Sequence, residues 1–126
     1  MAIELPGFVD GSRLAGADLS AKQYTFVKVD SDGDVVACGD GELAYGILQN
    51  APEQGDVASV MVIGISPIKL GANQTNAGIS ISSDTNGEAV ATADTEYCTG
   101  ILLEAGSEDE YRSMLICPVG QYDAPA

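Results

Sequence analysis

Carboxylates and thiols dominate the reactive side chains of this 126-residue chain: 19 Asp and Glu and three Cys, with no His. A serine or cysteine nucleophile needs an adjacent base at neutral pH, so the ordinary Ser-His-Asp and Cys-His relays are excluded. Two carboxylates invite a dyad reading. Asp30 and Asp84 occupy matching places in the two halves of the chain, as the catalytic pair of an aspartic protease does. Their contexts, however, are Asp-Ser-Asp-Gly and Asp-Thr-Asn-Gly, and short polar side chains before Gly are the chemistry of a tight turn. Asp30, Asp32 and Asp34 also have the opening spacing of a calcium loop, but Gly41 stands where such a loop closes with a bidentate Glu. Cys38, Cys98 and Cys117 lack a Cys-x-x-Cys spacing and read as small buried apolar residues. No glycine-rich phosphate loop opens a helix. The residues therefore predict no enzyme, no cofactor and no metal site, with Asp40-Gly41-Glu42 and Glu108-Asp109-Glu110 as solvated loops.

Charge narrows the partners. Five basic residues, Arg13, Lys22, Lys28, Lys69 and Arg112, are scattered among the 19 acidic ones, leaving a net charge of −14. Nucleic-acid binding requires clustered Lys and Arg that displace counterions from phosphates, so it is excluded as a function. The charge suits solubility and mutual repulsion between crowded copies. No segment approaches the roughly 20 apolar residues of a membrane span. Met1 to Val9 includes Glu4 and Pro6 and lacks the basic start and apolar run of a secretory signal, so synthesis in a reducing cytosol is expected. Without export, the acceptor pattern Asn73-Gln74-Thr75 has no consequence.

The elements that must position these residues read as strands. At this length and with 45% hydrophobic residues the chain is one domain with a real core. Tyr24–Val29 and Val35–Cys38 flank the polar Asp30–Asp34 turn as a hairpin, followed by Ala44–Gln49 and the apolar Val57–Ile63. The later half repeats this order with Ile79–Ile81, the Asn86-Gly87 turn, Ala89–Ala91, Tyr97–Leu103 and Tyr111–Cys117. Shifted by 54 positions, residues 30–63 match 84–117 at 11 of 34 places, where chance supplies roughly two or three. This pattern predicts a mainly β fold: a small barrel or sandwich of two duplicated β-rich halves, packed around a pseudo-two-fold, within a single body over residues 22–126. Its core is expected from Phe26, Val36, Ile47, Leu48, Val60, Val62, Val90, Ile101, Leu103, Leu115 and Ile116. Residues 1–21 show no clear period, with Pro6, Gly7, Gly11 and Gly16 interrupting the apolar positions, and read as an N-terminal arm.

Several stretches carry a family resemblance. Ala17-Asp18-Leu19-Ser20-Ala21-Lys22-Gln23-Tyr24 leads into the first hairpin. Tyr45-Gly46-Ile47-Leu48-Gln49-Asn50-Ala51-Pro52 is the most characteristic run, joined by Gly64, Gly71-Ala72, Ser83-Asp84 with Asn86-Gly87, and Gly100-Ile101-Leu102-Leu103-Glu104. In order and spacing, over about residues 17–120, these resemble the capsid cement, or head-decoration, proteins of tailed bacteriophages. The resemblance implies a β-rich homotrimer on the outer surface of an assembled head, clamping neighbouring major capsid protein subunits, with no catalytic residues. It also implies capsid contact through the N-terminal arm, where Ile3, Leu5, Pro6, Phe8 and Val9 are the candidate capsid-binding residues. The alternative is a β-rich recognition module for carbohydrate or a host surface, poorly supplied by 6% aromatics and no Trp.

Overall fold

Short apolar runs closed by Gly, Asp and Asn become nine strands, with no helix among the described residues. The computed structural model describes residues 5–121, with side chains over 7–117. The strands are β1 (Leu5–Leu14), β2 (Phe26–Val29), β3 (Val35–Ala37), β4 (Gly46–Leu48), β5 (Val57–Lys69), β6 (Ser80–Ser83), β7 (Ala89–Ala91), β8 (Tyr97–Leu102) and β9 (Tyr111–Gln121). They form one antiparallel sheet in the order β3-β2-β4-β5-β9-β8-β6-β7, with β1 paired to β5. The sheet curls into a half-barrel. The expected small barrel or sandwich is met in part: the fold is all-β and curled, but it is a single sheet ended by β3 and β7 and not two separate sheets.

The strand order reads alike from both ends, and the registers recur 54 residues apart. Val27 opposes Ala37 as Ile81 opposes Ala91; Phe26 opposes Ile47 as Ser80 opposes Ile101; Leu48 opposes Val60 as Leu102 opposes Met114. The left-handed backbone positions recur too, as Tyr24 and Gly78, Gly33 and Gly87, Gly41 and Thr95, Gly55 and Asp109. Even β1 has a counterpart. Leu14 and Arg13 oppose Val57 and Ala58 as Lys69 and Ile68, at the end of β5, oppose Tyr111 and Arg112 on β9. The segment read as an arm thus runs over Leu5–Leu14 as a strand along β5, and Ala15 and Leu19 are buried behind it.

Packing breaks the symmetry that the registers suggest. Successive residues of a strand point to opposite faces, and in β4 Ile47 joins one core cluster while Leu48 joins another. The inner face of the first half, Val27, Val35, Leu48, Ala58 and Val60, closes over Ala15 and Leu19. The matching face of the second half, Ile81, Ala89, Leu102 and Met114, packs instead on the outer face of the first, Phe26, Cys38, Ala44, Ile47 and Met61. Non-equivalent faces meet, so the halves are joined head to tail and not around the expected pseudo-two-fold. The seam is tied by Phe26 N–H to Gly87 O (2.7 Å), Gly41 N–H to Ser83 O (2.9 Å) and Tyr97 N–H to Gly41 O (3.1 Å).

This arrangement corrects part of the expected core. Phe26, Ile47, Leu48, Val60 and Ile116 are buried, and Val36, Val62, Val90 and Leu115 are half-buried. Ile101 and Leu103 are 38% and 40% exposed, whereas Ile47, the equivalent of Ile101, is fully buried. Among the described residues, Ile101 and Leu103 both stand on the outer face of the second half, partly open to solvent. The opposite face of the second half fills the core with Leu102, Met114 and Ile81, joined by Ile68 and Leu70.

Candidate functional site

The carboxylates singled out by the sequence serve the turns. Asp30 Oδ1 accepts the N–H groups of Asp32 (2.9 Å) and Asp34 (3.0 Å), and Asp84 Oδ1 those of Asn86 (2.8 Å) and Glu88 (2.9 Å). Each side chain is held in its own turn, which is the turn role their context predicted. No group of three or more His, Cys, Asp or Glu is placed to hold a metal among the described residues. Cys38 and Cys98 are buried, and burial pushes the Cys38 thiol above its ordinary value. Cys117 is exposed, a correction that follows from alternation along β9, where its neighbour Ile116 takes the inward position.

The candidate arm residues fall on β1. Leu5 opposes Ile65, and Pro6 follows it; Phe8 opposes Ile63 and is 59% exposed; Val9 opposes Met61 and is 42% exposed. Ile3 lies outside the described residues. The strand is drawn close to β5 at Gly7, where any Cβ would lie 2.0 Å from Ile63 O, so no larger residue fits. Farther on, the Tyr45 hydroxyl donates to Asp10 Oδ2, and the Arg13 guanidinium donates to Gly33 O (3.0 Å). Ser12 and Tyr45 as hydrogen-bond partners hold the Asp10 carboxyl below its usual range, so the ionised form is the one that anchors β1.

Three exposed apolar residues that the sequence reading did not assign lie on the same ribbon: Leu14 (47% exposed), Val57 (50%) and Ile63 (62%). Val57 and Ile63 belong to the apolar run Val57–Ile63, which reads as core on composition alone. Ala58 and Val60, on its inner face, and Met61, on its outer face under the second half, are buried. A second surface feature is a shallow cleft of about 390 Å³ lined by Gln23, Tyr24, Pro67 and Tyr111. The rings of Tyr24 and Tyr111 meet edge to face with centroids 6.0 Å apart. Tyr24 sits there with φ of 63°, where the matching position of the second half is Gly78.

Together these features define an all-β half-barrel with apolar side chains on its surface. No family model matches the chain, and no curated protein sequence matches it. Among solved structures it is similar to the head fiber gp8.5 N base of bacteriophage phi29, known from a crystal structure. The two superpose with a TM-score of 0.67 over 98% of this chain and 100% of that one, at 15% sequence identity. At that identity the likeness is one of fold.

Proposed function

We propose that this chain is a structural protein of a tailed-bacteriophage head: a cement or decoration module on the outer capsid surface that stabilises contacts between major capsid protein subunits. The observation that carries the reading is the likeness in fold, end to end, to a protein of a phage head fiber. The sequence resemblance to cement proteins points to the same place by a different route. In this reading the protein is synthesised in the host cytoplasm, acts as a homotrimer, catalyses nothing and takes no cofactor. Ile3, Leu5, Pro6, Phe8 and Val9 face the capsid, a role supported for Phe8 and Val9 by their exposure on β1. The two halves descend from one duplicated unit, which the 54-residue recurrence of registers supports.

Mixing the purified protein with heads that lack it, and separately with a glycan panel, tests the reading. Saturable binding to heads alone is expected; binding to glycans alone would refute it. Light scattering and density on heads should both give a trimer, and a stable dimer in both would count decisively against one. The carbohydrate reading has one observation in its favour, the Tyr24–Tyr111 cleft, since aromatic rings beside an amide are what a sugar stacks on and bonds to.

A further inference from the structure

Surface apolar residues are concentrated on one ribbon of this protein. Of the nine large hydrophobic side chains exposed among the described residues, five lie on β1 and β5: Phe8, Val9, Leu14, Val57 and Ile63. Two pairs of them, Phe8 with Ile63 and Leu14 with Val57, stand directly opposite each other across the strands, the placement in which side chains share one face. From Val57 to Ile68 the strand β5 carries no charge, and the charges of β1, Asp10 and Arg13, engage each other at 4.0 Å. In a chain of net charge −14 this is a long uncharged strip.

The outer edge of β1 is poorly built for adding a strand. Pro6 lacks an N–H, and the β1–β5 register shifts at three places, between Leu5 and Phe8, Phe8 and Val9, and Asp10 and Arg13. Proline and bulges are the devices that blunt a sheet edge. Contact through this ribbon therefore runs through side chains and not through main-chain pairing.

Charge indicates what lies on the other side. Every basic side chain is already bound within the chain: Arg13 to Asp10 and Gly33 O, Lys22 to Asn86 O, Lys28 to Glu42, Lys69 to Glu88, and Arg112 to Glu110. A second copy would bring the same acidic excess. Resting on the proposed attachment to a head, we propose that the exposed apolar side chains of the β1–β5 ribbon dock into an apolar depression rimmed by Lys and Arg on the capsid surface. The partner supplies the cations that this chain keeps for itself, and the ribbon supplies the apolar contact.

The variants Phe8→Ser and Ile63→Ser test this in the full-length protein, with binding to heads lacking the protein measured by co-sedimentation. Both residues are more than half exposed, so thermal unfolding and oligomeric state should be unchanged. Affinity for heads is expected to fall about ten-fold or more for each, and parent binding should weaken several-fold between about 0.05 and about 0.3 M salt. Variants that bind like the parent, or parent binding indifferent to salt, would overturn the inference and leave the attachment reading intact. Variants that dissociate the oligomer would overturn it in favour of a self-association face. A parent protein that binds no heads at all removes the attachment reading and this inference with it.

Discussion

Gly100→Ala should be among the most damaging single-methyl changes in this protein. Gly100 opposes Ile116 in the β8–β9 ladder, and a Cβ built there would lie 1.9 Å from Leu115 O and 2.8 Å from Met114 Cε. Real Cβ contacts stay above 3.0 Å, so the strands must part by more than an ångström. The carbonyl is main chain, and no side-chain rotation relieves the clash. Loss or weakening of one or two ladder hydrogen bonds costs about 1 kcal/mol each, and overpacking beside the core residue Met114 costs about 1–3 kcal/mol more. A total of about 2–5 kcal/mol follows, a large share of the roughly 5–15 kcal/mol that holds a domain folded. With a urea slope of about 2 kcal/mol/M, the unfolding midpoint should drop by about 1–2.5 M. Gly11→Ala is the control: a Cβ there meets nothing within 4 Å, so the change should stay within about 0.5 kcal/mol. The reasoning is refuted if Gly100→Ala and Gly11→Ala unfold at the same urea concentration.

Three further outcomes are expected. Ile47→Ala should destabilise by about 2–5 kcal/mol and Ile101→Ala by less than about 1, because equivalent residues sit buried and exposed; equal costs in calorimetry would contradict the head-to-tail packing. The Glu104 carboxyl is lowered to about 2, with the hydrogen bond from the Ser113 hydroxyl as the largest cause, so its contribution is present above the ordinary value of 4.5 and is lost as pH falls toward about 2. Glu104→Gln should flatten the stability profile in that window, and an unchanged acid titration would dismiss the role. A thiol reagent should label Cys117 rapidly in the native state, and Cys38 and Cys98 only on unfolding; mass spectrometry after brief labelling distinguishes the three.

The candidate surface was half legible. Phe8 and Val9 stood out because apolar residues broken by Pro6 and Gly7 cannot bury themselves in a local element. Val57 and Ile63 did not, because a run such as Val-Ala-Ser-Val-Met-Val-Ile reads as core wherever it lies. Which side chains of such a strand reach solvent depends on what covers each face, and only the assembled sheet decides that.

Local chemistry determined much of the fold before any packing. Asp-Ser-Asp-Gly and Asp-Thr-Asn-Gly close turns because a carboxylate within reach of two N–H groups bonds them whatever the rest of the chain does, and β-branched runs on either side favour strands. The recurrence at 54 residues likewise lay open in the sequence, since identical local patterns make identical hairpins. How two such units join was not encoded locally. Ile47 and Ile101 share a residue type and a register but not an environment, for the first half has the second packed on its outer face, whereas among the described residues Ile101, on the matching face of the second, stays 38% exposed. That asymmetry, and the single curled sheet that results from it, comes from contacts between residues far apart in the chain, which a pattern read along the sequence does not contain.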